Sequence, residues 1–419
     1  MKLAIILILC VAAFIWDRFP AASVSAAACI AMVVCGVCSP ADMMTGFTND
    51  IVLIVFGTEI FGIAFRESGL SAKTADMIVR LSKRNERSVI LIAGLTAALL
   101  SAFLNNQVIC ALMMIICIHI AGTVKEISVK NITLPVIYCA VMGGQCTLVG
   151  APATLIASSM AADALGEGIS MFEMLPMGLI LLAAGLLWIV LVLSKRGDAF
   201  WSDASQTAEE SDADLPAGQT DRRKMIVTLI SGAVMLFLFV TDYVTVGVAS
   251  VIGGLICMLG GAVQQKKAFS KIDWNILIWL GCSVSMASEL NKSGHIQSIC
   301  VWLMQRIPPD ISPVMLLAVF TVLAVVISNF IANTTTVIII LPFALKFAEL
   351  YALNPRAFLI AVTMGAGLAI MTPLSSGFIG MTVRVGYRFR DYVRYGFGIQ
   401  AVLTVLIVVL TCVFFPLTA

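Results

Sequence analysis

Two clusters of uncharged polar residues interrupt long apolar runs. Asn105-Asn106-Gln107 sits at the centre of residues 88–121, and Asn333-Thr334-Thr335-Thr336 at the centre of residues 312–348. Amides and hydroxyls surrounded by hydrocarbon must line a cavity or be buried in protein, because nothing else there satisfies them. Asn side-chain oxygens and free backbone carbonyls suit a hard, weakly dehydrated cation such as Na⁺. A helix that starts at such a cluster turns its N–H groups and the positive end of its dipole toward an anion. A second interruption follows each cluster, at Gly143 to Thr154 and at Gly365 to Gly377, where Gly and Pro unwind the helix and expose backbone groups. Any one such residue in a membrane helix is explained by helix–helix packing. Duplicated clusters in register point to a site with two cation positions flanking one anion position.

The elements that must position these residues follow from composition. Of the 419 residues 60% are hydrophobic and 12% charged, which excludes a water-soluble globule and a disordered chain. The 26 basic and 24 acidic residues leave a formal charge of +2, so no nucleic-acid partner is expected. The solvent is the lipid bilayer. Basic residues gather in loops at Lys73–Arg87, Lys195–Lys224, Lys266–Lys271 and Arg384–Arg394, which places those loops on the cytoplasmic side. That placement requires segments 88–121 and 312–348 each to enter and leave on one face, as re-entrant hairpins. About ten full spans remain at ~20 residues each, five in each half.

An odd number of spans per half makes the halves inverted copies. Ser101 to Gln107 aligns without gaps with Ser328 to Thr334, Asp50 and Asp273 head equivalent spans, and Ser68-Gly69 and Ser293-Gly294 end them. The expected fold is therefore an all-α polytopic membrane protein built of two inverted repeats, each with a re-entrant hairpin and a broken helix. Residues 1–87 and 224–311 form one part and residues 88–193 and 312–419 the other, with 194–223 as a cytoplasmic linker. The first repeat has its hairpin at 88–121 and its broken helix at 131–162; the second has them at 312–348 and 357–383. Paired broken segments in matched halves mark the midplane site of a secondary transporter.

Ser101, Asn106 and Gln107, with Ser328, Asn333, Thr334 and Thr335, resemble the paired Ser-Asn-Thr hairpin signatures of the divalent anion/sodium symporter family. Thr147 to Pro152 resembles a Thr-Leu-Ile-Gly-Thr-Pro stretch of the same ion transporter superfamily, which includes citrate transporters and arsenite permeases. Thr372-Pro373 resembles its counterpart in the second half. The resemblance implies Na⁺ as the coupling ion, with Ser101, Asn105, Asn106 and Gly150 at one sodium and Ala332, Asn333 and the Ile370–Met371 backbone at the other. It places the anion between Asn106, Gln107, Asn333, Thr334, Thr372 and Pro373. It further implies a homodimer in the cell membrane whose transport domain moves against a scaffold, as an elevator. The chain departs from the signature at Asn105, Gln107 and Ala332, and Ala153-Thr154 replaces the usual Pro-Asn; the longer Gln107 reshapes the anion cavity.

The remaining polar residues add less. Glu289, followed by Asn291 and Lys292, reads as a solvated helix end, whereas Glu59 reads equally as a packed pair or a proton-coupling group. His119 and His295 have no ligand-spaced partners, so no metal site other than sodium is expected. Cys35 and Cys38 read as packing thiols, and Leu70 to Arg87 as an amphipathic helix in the interface. No hydrolytic or ATP-binding motif is present, so the chain is not expected to be an enzyme. Symport of a small di- or tricarboxylate or a sulfate-like anion is the leading expectation. An arsenite or anion efflux permease or a sodium/proton antiporter is the alternative, and an intramembrane enzyme or assembly subunit a remote one.

Overall fold

The computed structural model describes residues 2–16, 19–48, 50–82, 85–124, 127–193, 221–241, 243–293, 311–372, 379, 382 and 385–418. Among these there are eighteen α-helices and no strand. The first five are α1 (Lys2–Trp16), α2 (Ala21–Val34), α3 (Pro40–Met44), α4 (Asp50–Glu67) and α5 (Leu70–Leu81). Then come α6 (Glu86–Ser101), α7 (Asn106–Thr123), α8 (Val129–Gly144), α9 (Pro152–Leu165) and α10 (Leu175–Trp188). The second half holds α11 (Arg222–Thr241), α12 (Val246–Leu259), α13 (Gln265–Lys271) and α14 (Trp274–Lys292). It continues with α15 (Pro313–Ser328), α16 (Asn333–Leu350), α17 (Pro355–Gly367) and α18 (Phe389–Phe414).

The helices start and stop where local chemistry tells them to. Asn85, Thr245, Ser312 and Asn354 each cap a helix through a side-chain oxygen, and Pro152, Pro313 and Pro355 open helices where no N–H is needed. The long apolar runs are divided. Four residues, 102–105, separate α6 from α7; residues 145–151 separate α8 from α9; and residues 329–332 separate α15 from α16. These breaks fall at the polar clusters. Beyond α17 the chain leaves the helix at Leu368, and residues 373–378, the rest of that expected break, lie outside the described residues. So does most of the linker, 194–220, whereas Arg222 and Arg223 already belong to α11.

Because the runs are divided, only α11, α16 and α18 are individually long and apolar enough to cross a bilayer among the described residues. Seven further apolar helices have 10–17 residues. Leu99, Leu259 and Val405 are among the large apolar side chains left exposed, the surface expected of a chain solvated by lipid.

Two sets of helices pack mainly within themselves. In one, α4 packs on α12 and α11, α14 on α2 and the 3₁₀ turn Thr45–Thr48, and α1 on α2. Asp50 at the head of α4 fastens the head of α12, accepting from Thr245 Oγ1 at 2.6 Å and from the Gly247 N–H at 2.9 Å. In the other set, α6, α7 and α10 pack on α8, α15 and α16 on α17, and α10, α15 and α17 on α18. Helix α9 touches both sets, lying against α16 and α17 as well as α14 and α4.

Some residues are placed differently from the expectation. Glu289 is not simply solvated: it is buried near the end of α14, and Lys292 donates to its carboxylate at 2.7 Å. Glu59 is buried in the middle of α4. Cys35 does not pack; it is an exposed free thiol just after α2. Helix α5 carries one apolar and one basic face but is shorter than expected: it stops at Leu81, and Arg87 belongs to α6, which Asn85 caps.

Candidate functional site

The first break in the chain folds its oxygens inward. Ser101 ends α6 and Asn106 begins α7, and the Ser101 hydroxyl donates across the turn to Asn106 Oδ1. Asn105 caps α7 by accepting the Gln107 N–H at 2.9 Å. The loop between α8 and α9 closes over this tip. Thr147 donates its hydroxyl to the Ala102 carbonyl, and the Asn106 N–H donates to the Gly150 carbonyl at 3.3 Å. Gly144, the last residue of α8, lies so close to the Asn106 carboxamide that a Cβ there would overlap it. The Ser101 and Gly144 carbonyl oxygens both abut Gly150. Two helix C-termini and one Asn oxygen therefore converge at a buried point with no fixed charge. The negative dipole ends and oxygen donors form a set suited to a hard monovalent cation.

The second break repeats two of these bonds at aligned positions. Ser328 ends α15 and donates to Asn333 Oδ1 at 2.9 Å, and Thr372 donates its hydroxyl to the Asn329 carbonyl, Asn329 being the residue aligned with Ala102. The differences lie in what supports them. The Ser328 hydroxyl also faces the Ala366 carbonyl at 2.9 Å. The Asn329 side chain donates to the Val325 carbonyl at 2.8 Å and accepts the Met371 N–H at 3.0 Å, while Gln400 on α18 accepts the Ile370 N–H at 3.1 Å. Ala332 has no side-chain oxygen, so α16 starts without a side-chain cap.

The two breaks meet. Gln145, the cap residue that follows α8, lays its carboxamide against Gly367, the last residue of α17, where a Cβ would overlap it. Gln145 is 1% exposed, and neither Nε2 nor Oε1 has a hydrogen-bond partner among the described residues. The Thr154 and Thr336 hydroxyls, in the first turns of α9 and α16, are likewise buried without a partner among those residues.

The structure thus brings Ser101, Asn105, Asn106 and Gly150 together at one tip, and Asn333 beside Ser328 at the other. Gln107 and Thr334 occupy the first turns of α7 and α16; Gln107 is half-buried and Thr334 buried. Ala332 is exposed, and Asn333 is half-buried. The Ile370 and Met371 N–H groups are committed to Gln400 and Asn329, and Thr372 holds the turn through its hydroxyl. Pro373 lies outside the described residues. Sequence reasoning missed Asn329, Gln400 and Gln145. Asn329 could have been found from its pairing with Ala102 in the aligned tips, but Gln400 lies in an otherwise ordinary apolar helix and gave no signal.

An all-α fold of apolar helices whose breaks meet beside paired Ser–Asn tips defines a polytopic membrane protein. A family model described as a citrate transporter (CitMHS) matches residues 11–331, and the chain belongs to that family. It is 28% identical over 178 residues to the uncharacterized transporter sll0640 of Synechocystis sp., covering 42% of this chain and 29% of that protein. To the uncharacterized transporter YfbS of Escherichia coli it is 30% identical over 251 residues, covering 60% of this chain and 40% of that protein. The matches thus span less than half the length of these two relatives. The sodium-dependent dicarboxylate transporter SdcS of Staphylococcus saprophyticus is 24% identical, with 87% of this chain and 76% of that protein covered. Two solved structures share the fold, each with a TM-score of 0.62. The Alcanivorax borkumensis YdaH transporter is 14% identical and covers 89% of this chain and 87% of its own. Neisseria gonorrhoeae MtrF, from a class of antimetabolite efflux pumps, is 12% identical and covers 92% and 84%.

Proposed function

We propose that the chain is a secondary transporter of the cell membrane that couples Na⁺ to the uptake of a small divalent anion, a di- or tricarboxylate or a sulfate-like ion. One observation carries the reading: the Ser–Asn bond and the Thr–carbonyl bond recur at aligned positions of two tips whose neighbouring breaks abut. The carbonyl ends of α6 and α8 with Asn106 Oδ1 make the first sodium position, and Ser328 with Asn333 the frame of the second. The anion lies between Asn106, Gln107, Asn333 and Thr334, beside Thr372 and Pro373. It is held by neutral donors and the positive ends of α7 and α16, with Na⁺ nearby to balance its charge. The name of the S. saprophyticus relative, a sodium-dependent dicarboxylate transporter, supports the same choice of ion and substrate.

The recurring bonds also favour two inverted repeats. The two packing sets favour a scaffold of residues 1–87 and 224–311 and a transport unit of 88–193 and 312–419, moving as an elevator in a homodimer. The test is uptake of labelled succinate, citrate and sulfate into proteoliposomes under an inward Na⁺ gradient. Uptake driven by Na⁺ and lost in both Asn106→Ala and Asn333→Ala is the expected result. Equal uptake when K⁺ replaces Na⁺ overturns the reading.

A further inference from the structure

Gln145 belongs to the first break, and its side chain reaches the helix end that opens the second. Its backbone follows Gly144, which packs on the Asn106 carboxamide; its own carboxamide covers Gly367, beside the Ala366 carbonyl that faces the Ser328 hydroxyl. It therefore stands between the two Ser–Asn pairs. A carboxamide carries two donor hydrogens and an acceptor oxygen, and a buried one left without partners destabilises the fold. Here both polar atoms are buried and unpartnered among the described residues, against Gly367 of the other half. Gly367 supplies the space: any side chain at 367 would displace the amide. A polar group kept at the cost of stability, in a gap shaped to admit it, is the mark of a ligand contact.

We infer that Gln145 is a binding residue for the transported ions. Its Nε2 donates to an oxygen of the anion and its Oε1 faces the accompanying cation, so that one side chain makes each ion's binding depend on the other's. This rests on the sodium–anion reading above. It adds a residue that the paired tips do not contain, and it favours substrates whose oxyanion reaches the seam between the halves. Small carboxylates and sulfate qualify; a bulky or uncharged solute does not.

The test uses the purified chain, with Na⁺, succinate and sulfate as probes and thermal stability as readout. Gln145→Leu removes both polar atoms at similar volume. It is expected to melt no lower than wild type without ligand, because an unsatisfied amide has been removed, while apparent affinity for the anion falls about ten- to a hundredfold. Gln145→Glu keeps an acceptor oxygen but loses the donor and adds a negative charge; its Na⁺ response is expected to persist while its anion response is lost. Wild-type anion affinity in Gln145→Leu overturns the inference. So does a Gln145→Glu protein that loses the Na⁺ and anion responses equally, as a purely structural role would produce. A wild-type anion response that needs no Na⁺ removes the coupling and leaves the anion contact to be judged by Gln145→Leu. A wild-type protein that responds to none of these anions removes both readings together.

Discussion

Gly144→Ala is a small change with a sharply defined consequence. The added methyl group would lie 2.6 Å from Asn106 Nδ2 and 2.7 Å from Asn106 Cγ, and closer still to Oδ1. Carbon needs about 3.5 Å or more, so the carboxamide must retreat by roughly 1 Å. It has little room to do so, since Asn106 is 2% exposed, its N–H is tied to the Gly150 carbonyl and its Oδ1 to the Ser101 hydroxyl. The retreat breaks the Ser101–Asn106 bond and withdraws one oxygen from the cation position. A hydrogen-bond-like contact to a charged group is worth about 1.5–3 kcal/mol, which is roughly ten- to a hundredfold in Na⁺ affinity. Helix propensity alone pulls the other way, since Ala in place of Gly stabilises a helix by about 0.5–1 kcal/mol. The assay is a Na⁺ titration of melting temperature in detergent, with Gly62→Ala in α4 as the control, where the new methyl meets only Val108 Cγ1 at 3.8 Å. Gly144→Ala is expected to shift the Na⁺ midpoint upward and Gly62→Ala to leave it unchanged. A Gly144→Ala protein that is more stable than wild type with an unchanged Na⁺ midpoint refutes the proposed cation position.

Three further outcomes are expected. Burial alone would raise the Glu67 carboxyl, but Lys267 and Lys271, each donating to it at 2.5 Å, hold it below its ordinary value of 4.5. The pair therefore adds stability above that pH and loses it as pH falls through the lower folded value; Glu67→Gln should melt below wild type at pH 7 by at most about 1 kcal/mol, and the gap should close in acid. Arg356 binds Glu173 through two contacts of 2.6 Å and the Gly168 carbonyl at 2.8 Å, so Arg356→Leu should cost about 1.5–3 kcal/mol in thermal or denaturant unfolding while the Na⁺ midpoint stays put. Gln107→Thr shortens a half-buried side chain at the head of α7 and should shift competition uptake from sulfate toward succinate and citrate with Na⁺ dependence retained; an unchanged profile places Gln107 outside the anion cavity.

The breaks were legible because polar residues inside hydrocarbon have few physical explanations. Asn105 to Gln107 and Asn333 to Thr336 announced turns, and the turns lie beside them. The alignment of Ser101 to Gln107 with Ser328 to Thr334 paired the two tips, but it did not announce the Ser101–Asn106 and Ser328–Asn333 bonds that the structure shows. What spacing cannot convey is contact between segments distant in sequence. Gln145 meets Gly367 across more than two hundred positions, and nothing local to either residue announces the other. Gln400 supports Ile370 from a helix whose pattern is that of any apolar span. The division of residues 131–162 was legible for the same reason as the tips: Gly143, Gly144 and Pro152 interrupt the apolar run, and the backbone ends one helix at Gly144 and starts the next at Pro152.

The two tips make the same pair of bonds but are not equivalent, and the difference bears on which ion each one serves. Asn105 caps α7 and occupies the Gln107 N–H, and Asn105 and Asn106 are both buried, so the first tip is closed around its own oxygens. At the second tip Ala332 offers no cap, Asn333 is half-buried, and α16 begins with its first-turn N–H groups uncommitted to any capping side chain. Converging carbonyls favour a cation; free N–H groups at the positive end of a helix dipole favour an anion. On the proposed sodium-coupled reading, the closed first tip is the one suited to Na⁺, and the open second tip, beside its own sodium position, is the one with N–H donors left for an oxyanion.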